Sequence, residues 1–336
     1  MTVNRSVAEG RGADIVDKPK LSANIDRQSL RRGDDAYLMA LASAPDARFL
    51  VLEAGDPVIL RVSAGQGDGL SVWFSRKQAA QAVADDDMAR CPMVFLGVEP
   101  AAAENLAGAG RFALVLPEGG RDRLAEIVPL EPPAGSRSLM SAGVVPPDDL
   151  AAAGLARSLF AWHSTAKFCG ACGSGTRVID GGWRVRCTGC ERDVYPRVDP
   201  VVIMLVTDGW RCVLAHEPRF PERMFSCIAG YVEPGEDVAD AVARETAEEL
   251  GLVIGEVAIV DTQPWPFPHS LMIGCVARVE GSLELQIDPA EIVEARWFTR
   301  AQAQQLIDRT HPDGLWEPGH QAIAHRLIAR FARGEA

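Results

Sequence analysis

Short apolar runs of strand length alternate along the chain with helical stretches and breaks marked by Gly or Pro. In the first third, Phe49–Leu52 and Val58–Val62 flank Gly55-Asp56-Pro57, a hairpin-like turn signal. Leu70–Phe74, Met93–Val98 and Phe112–Leu116 are further strand candidates, and Arg76–Met88 and Ala101–Ala107 read as helices. Val128–Ser138 is rich in Pro, Gly and Ser and predicts a linker. Pro147-Asp148-Asp149 then opens a helix, with Leu150, Leu155, Leu159 and Trp162 as its buried stripe. Farther on, Val201–Val206 and Arg211–His216 form a hairpin around Asp208-Gly209. Leu271–Val279 and Ala295–Phe298 are later strands, and Gln302–Leu306 and His320–Phe331 later helices.

The helix that carries chemistry lies between these strands. Pro234-Gly235 ends what precedes it, Asp237 is its N-cap, and Gly251 ends it, which predicts a helix over Val238–Leu250. At about 100° per residue, Glu245, Glu248 and Glu249 share one face. Ala239, Ala243, Ala247 and Leu250 fall on the other face, which is expected to pack on a sheet. Like charges at this spacing destabilise a helix unless something offsets them, and hard divalent cations with oxygen ligands are the natural candidate. Glu236, ahead of the helix, can pair with Arg244 and fix the geometry. The competing reading is a solvated acidic face.

Composition narrows the class. The chain has 336 residues, 47% of them hydrophobic and 24% charged, enough for more than one globular core. No apolar run approaches membrane-span length, and the first residues lack the apolar segment of a secretory signal and read as a mobile tail. A net charge of −12 disfavours non-specific nucleic-acid binding but leaves an anionic substrate open, since bound cations invert a local field. Of eight cysteines, Cys91, Cys212, Cys227 and Cys275 are scattered, as in a reduced, cytoplasmic protein.

The other four are Cys169-Gly-Ala-Cys172 and Cys187-Thr-Gly-Cys190, with 14 residues between the pairs. Two C-x-x-C turns complete a tetrahedral thiolate shell, the closed arrangement of a structural zinc ion. Trp183–Arg186 alternates like a strand between them. A fully occupied shell leaves no open position for catalysis, so the metal is expected to hold the fold together. Zinc ribbons also bind nucleic acid and protein, and a labile, redox-sensing zinc site is a further reading.

The segment from Gly230 to Gly251 reads G-x5-E-x7-R-E-x-x-E-E-x-G-x, with Glu236, Arg244, Glu245, Glu248 and Glu249 in register. This resembles the Nudix box, the signature of hydrolases of nucleoside diphosphates linked to another moiety; Thr246 stands where that pattern carries an aliphatic packing residue. Thr262 and Gln263-Pro264-Trp265-Pro266-Phe267-Pro268-His269-Ser270 resemble the SQPWPFPxS motif of the NAD(H) diphosphatases of that superfamily, with Thr in place of Ser. The prolines are expected to prevent regular pairing and stiffen a loop, and Trp265 and Phe267 to offer flat faces to a base or nicotinamide ring.

The resemblance implies an α+β fold: a Nudix α/β/α sandwich with a mixed sheet, preceded by a zinc ribbon and a smaller α+β amino-terminal domain. The implied layout is a tail over 1–35, the amino-terminal domain over 36–130, linker and helix over 131–165, the ribbon over 166–196 and the Nudix domain over 197–333. It implies hydrolysis of NADH or NAD+ to AMP and nicotinamide mononucleotide, with removal of NAD caps from RNA as the same chemistry. Mg2+ or Mn2+ would be held by Glu245, Glu248, Glu249 and Glu291, assisted by the carbonyl of Ala229. Tyr195, Tyr231, the Gln263–Ser270 stretch and, through its backbone, Ala324 would contact substrate. Gly182 stands where relatives can carry a substrate-contacting glutamate, and Glu294 is a rival to Glu291. A homodimer is implied. Arg184, Arg186, Arg192 and Arg197 are candidates for a local basic groove. His163 reads as structural and Trp297 as core. Three alternatives stay open: another nucleoside diphosphate derivative such as ADP-ribose or a dinucleoside polyphosphate, an RNA- or protein-binding module on a Nudix scaffold, and a redox or regulatory zinc protein.

Overall fold

The structure is a computed structural model that describes residues 24–64, 67–83, 91–99, 108–135, 139 and 144–336. The expected helix over 101–107 lies outside the described residues, as do 1–23 of the expected tail.

The amino-terminal region builds α1 (Asp35–Ser43), β1 (Arg48–Glu53), β2 (Asp56–Pro57), β3 (Leu60–Ala64), β4 (Gly67–Ser71), β5 (Trp73–Ser75), α2 (Arg76–Ala82), β6 (Met93–Val98), β7 (Gly110–Val115) and α3 (Gly120–Ala125). Its main sheet runs β2-β1-β7-β6, with β5 also on β1. Alternation along β1 makes two cores. Phe49 and Val51 meet α2 and α3 through Ala79, Ala82 and Leu124. Leu50 and Leu52 meet the next helix, α4 (Pro147–Thr165), through Leu150, Ala153, Ala156 and Leu159.

Several expectations are corrected here. The hairpin turn falls at Ala54-Gly55, because Asp56 and Pro57 already pair with Glu53 and Leu52. The runs expected as single strands, Val58–Val62 and Leu70–Phe74, do not run through: β3 begins at Leu60, and Val72 separates β4 from β5. Helix α2 ends at Ala82, where Val83 turns extended; 84–90 lie outside the described residues. Asp26, expected in the tail, exchanges main-chain hydrogen bonds with Val98, and Gly97 leaves the room: a Cβ there would lie 2.3 Å from the Asp26 carbonyl oxygen.

The ribbon is a three-stranded sheet of β8 (Thr176–Ile179), β9 (Arg184–Cys187) and β10 (Asp193–Val194), in the order β10-β9-β8. It is joined to the amino-terminal sheet. The Trp183 indole N–H donates to the Phe95 carbonyl at 2.6 Å, and the Arg32 guanidinium lies 3.7 Å over the Trp183 ring.

The rest forms β11 (Asp199–Thr207), β12 (Arg211–His216), β13 (Ile228–Tyr231), α5 (Val238–Leu250), β14 (Val253–Trp265), β15 (Ser270–Glu280), β16 (Glu294–Thr299), α6 (Arg300–Ile307) and α7 (Ile323–Ala332). The mixed sheet runs β14-β15-β11-β12-β16, with β13 also on β11. The β11–β15 pair is parallel and the others antiparallel. Strand β11 is the unbroken apolar run, buried on both faces as a central strand must be. Ile203 and Leu205 meet α6 and α7, while Val202, Met204 and Val206 meet Ala241, Val242 and Leu250 of α5. This is the α/β/α sandwich. Among the described residues no helix is long and apolar enough to cross a membrane.

Candidate active site

Helix α5 begins and ends as its sequence dictates. The Asp237 carboxylate accepts from the Ala239 and Asp240 N–H groups in a capping box, and Gly251 takes the left-handed conformation at φ 68°. Its rotation differs from expectation. Ala239 and Ala247 are exposed, while Ala241, Val242, Thr246, Glu249 and Leu250 are buried. The inward stripe therefore runs through Val242, Thr246 and Glu249, because Val242 and Leu250 bury more apolar surface than the alanines. Thr246 occupies its packing position fully buried.

This rotation aims two glutamates at the sheet. Glu245 lies against Gly230 of β13 so closely that a Cβ there would overlap its carboxylate. Arg244 braces the group: Nε donates to Glu236 Oε1 at 2.6 Å and Nη2 to Glu236 Oε2 at 3.0 Å. Its Nη1 donates to Glu245 Oε1 at 2.8 Å and Glu248 Oε2 at 3.2 Å, and Nη2 also reaches the Tyr231 carbonyl at 2.8 Å. The Arg244 guanidinium holds the Glu236 carboxyl down at about 2. Glu248 shares the brace from the solvent side, with 62% of its side chain exposed.

Glu249 is different. It is 5% exposed, and its Oε2 has no hydrogen-bond partner. Burial, then the charges of Glu245, Glu217 and Glu291, push its carboxyl up to about 8. An orphaned buried carboxylate facing three more is what a divalent cation would resolve, so the residues fit Mg2+ or Mn2+. Burial also raises Glu245.

Glu291 belongs to this cluster; Glu294, its rival, is strand-paired with His216 and ion-paired with Arg296. Glu217 was not found from sequence. It follows the last residue of β12, and only the β12–β16 pairing, extended by the Val293 N–H to the His216 carbonyl, brings it beside Glu291. It is ion-paired with Arg219 at 2.5 Å.

The Gln263–Ser270 stretch does not avoid pairing. Gln263, Pro264 and Trp265 belong to β14, opposite Met272, Leu271 and Ser270. Strand β14 is a sheet edge, where a missing N–H costs nothing. Gln263 is buried with its amide occupied: Nε2 donates to the Gln321 carbonyl at 2.8 Å, and Oε1 accepts the Ile323 N–H at 2.7 Å. It therefore clamps the start of α7. Trp265 and Phe267 are not open platforms; they stack edge-on at 5.1 Å and pack against the Leu50–Leu159 core. His269 Nδ1 lies 3.1 Å from Asp199 Oδ2, and the His269 carbonyl accepts the Asp199 N–H.

Tyr195 and Tyr231 are exposed at 62% and 59%. Tyr231 pairs with Val201 and Ala229 with Ile203 on one side of β11, while Ser270 pairs with Asp199 on the other. Ala324 is buried in the core at the first turn of α7. Gly182 takes φ 95°, and a Cβ there would lie 2.5 Å from Val94 Cγ1, so the position forms the ribbon joint. His163 donates from Nε2 to the Gly182 carbonyl at 2.8 Å and is structural. Trp297 packs on the core and donates to the Leu283 carbonyl. The arginine candidates largely lose their free charge: Arg184 pairs with Asp180 and Asp193, Arg186 with Asp193, and Arg197 with Asp199.

In the ribbon, the sulfurs of Cys169, Cys172, Cys187 and Cys190 all lie within 4.8 Å of one another. The Ala171 N–H points at Cys169 Sγ, and the Gly189 and Cys190 N–H groups at Cys187 Sγ. Ser174 holds the Cys172 thiol down at about 6. Donors aimed at four convergent sulfurs fit a thiolate-bound zinc ion.

Comparison with known proteins agrees. Residues 196–318 match the NUDIX domain, and 164–195 match the NADH pyrophosphatase zinc ribbon domain. The chain belongs to the Nudix hydrolase family, with that zinc ribbon ahead of its Nudix domain. It is 36% identical to the NAD-capped RNA hydrolase NUDT12 of Macaca fascicularis, over 92% of this chain and 72% of that one. It is 41% identical to the NAD-capped RNA hydrolase NudC of Stutzerimonas stutzeri, over 56% of this chain and 63% of that one. A solved NUDIX hydrolase from Nitrosomonas europaea covers 50% of this chain and 90% of its own, at 22% identity and a TM-score of 0.39.

Proposed function

We propose that this protein hydrolyses the pyrophosphate of NADH or NAD+, adding water across the P–O–P bridge to give AMP and nicotinamide mononucleotide. The observation that carries the reading is the buried, unpartnered Glu249 carboxylate inside an Arg244-braced acidic cluster. Glu245, Glu248, Glu249 and Glu291, with the Ala229 carbonyl, would hold Mg2+ or Mn2+; when bound, the ions neutralise the diphosphate and acidify a water. Arg244 keeps Glu245 and Glu248 in place. One of these glutamates would also take the proton that the water gives up. Tyr231 and Tyr195 offer exposed rings to the substrate. Gln263–Ser270 acts mainly as the wall that shapes the pocket: Gln263 anchors it to α7, and Trp265 and Phe267 seat it. Structural zinc, one per chain, holds the ribbon.

NAD-capped RNA is a second substrate of the same site, favoured by the names of the relatives. Pairing of Arg184, Arg186 and Arg197 with aspartates points to recognition of the cap rather than of the RNA body. The resemblance also carries a homodimer. The buried thiols Cys212, Cys227 and Cys275, held protonated by burial, suit a reducing compartment, the cytoplasm.

Product analysis with NADH and with NAD-capped RNA, in Mg2+ or Mn2+, tests the reading. AMP and reduced nicotinamide mononucleotide from wild type, lost in Glu249→Gln, support it. Cleavage of ADP-ribose alone moves the protein to another substrate class. RNA binding by the zinc-loaded protein with no cleavage of any of them makes it a binding module.

A further inference from the structure

Helix α4 belongs to the amino-terminal region, yet it touches the Gln263–Ser270 stretch along one side. Gly154 sits mid-helix, where glycine is about 1 kcal/mol worse than alanine. A close contact explains it: a Cβ at 154 would lie 2.6 Å from Pro266 Cγ and 3.2 Å from Pro266 Cβ. A proline ring cannot swing away as a flexible side chain could. One turn on, the Ser158 hydroxyl donates to the Pro268 carbonyl at 2.8 Å. Between them, the Arg157 guanidinium lies 5.5 Å from the centre of the Phe267 ring. Its Nη1 donates to the Gly55 carbonyl at 2.9 Å and to Asp56 Oδ1 at 2.7 Å, tying the same point to the β1–β2 turn. Trp265 and Phe267 bury their inner faces in the core that α4 shares with β1. On the opposite flank, the His269 carbonyl accepts the Asp199 N–H at the start of β11, the strand on which Tyr231 of β13 pairs through Val201.

We propose that α4 sets the position of the Trp265–Ser270 turn through Gly154 and Ser158, so that the amino-terminal region determines how tightly the dinucleotide binds. This rests on the dinucleotide-hydrolase reading above. Gly154 and Ser158 are positioning residues: both act through the turn, and the reacting diphosphate lies with the glutamates of α5. A shifted turn weakens ground-state binding and leaves the hydrolytic groups untouched, so KM rises while kcat holds.

The test is steady-state hydrolysis of NADH by wild type, Gly154→Ala, Ser158→Ala and Ser158→Thr, with thermal unfolding of each. Gly154→Ala gains helix propensity but sets its Cβ against Pro266, so a purely structural role predicts a change in stability alone, with unchanged kinetics. Positioning predicts KM raised about tenfold for Gly154→Ala, where van der Waals overlap moves the turn, with kcat nearly unchanged. For Ser158→Ala, one lost hydrogen bond predicts a KM raised about fivefold, restored by Ser158→Thr. If Gly154→Ala fails to fold, the Ser158 pair decides alone. Unchanged KM in the folded variants, or equal loss of kcat in Ser158→Ala and Ser158→Thr, overturns the proposal while the functional reading stands. Absence of NADH cleavage by wild type overturns that reading, and this inference with it.

Discussion

Glu249→Gln is expected to destroy activity and stabilise the magnesium-free protein. In the folded chain Glu249 keeps its proton up to about pH 8, while in the unfolded chain it loses it near 4.5. The folded state therefore binds the extra proton between those values, so stability falls as pH rises through that window, and the full cost is present above about pH 8. The interval corresponds to about 5 kcal/mol at 1.36 kcal/mol per pH unit, an upper limit for one group. Glu249 titrates together with Glu245, Glu217 and Glu291, so the shift is shared across the cluster and its own charge carries roughly half, about 2–3 kcal/mol, which a neutral amide recovers. For a chain of this size that is a rise in melting temperature of roughly 4–10 °C at pH 8, vanishing near pH 5. Thermal unfolding of zinc-loaded, magnesium-free protein from pH 5 to 9 reads it directly. Added Mg2+ should stabilise wild type and narrow the gap, since it binds the folded cluster. A variant less stable than wild type at pH 8, or one with the same pH slope, would refute the assignment of an uncompensated buried charge to Glu249.

Other outcomes follow from the same geometry. Arg244→Lys keeps the charge but cannot fork to Glu236, Glu245 and Glu248 together, so kcat should drop about a hundredfold; activity within about twofold of wild type would count against the brace. Gly182→Glu should cost about 3 kcal/mol or more in urea unfolding, because a side chain at φ 95° strikes Val94, and should not tighten NADH binding. Gln263→Ala leaves the Ile323 N–H and the Gln321 carbonyl without their partner, and should cost about 2–4 kcal/mol and speed amide exchange at the start of α7.

The two ends of α5 were legible to the residue, because Asp237 and Gly251 act through local backbone chemistry. Its rotation was not. Reading alanines as the packed face assumes that charges point to water, an assumption that fails where a fold turns carboxylates inward for a cation. The four cysteines declared themselves through spacing, since their ligand geometry is set by two short turns. Glu217 had no such signal: it joins the cluster only because β12 and β16, far apart in sequence, pair side by side. The Pro–aromatic stretch could be matched to a family motif, yet nothing in its residues announced that Pro266 rests on Gly154, more than a hundred positions earlier. The described end of the expected tail was misjudged for a related reason: its polar residues hid main-chain pairing between Asp26 and Val98.

The joint at Trp183 has a practical consequence for rearranging this protein. The indole reaches the Phe95 carbonyl, Gly182 fits against Val94, and two arginines from the segment before α1 cover the ring. The natural cleavage plane of the molecule therefore does not run where the sequence changes character, between the linker and the ribbon. A chimera that joins this ribbon and its hydrolase to a foreign amino-terminal region would expose an unmatched tryptophan unless strand β6 and the residues around Arg32 travelled with it.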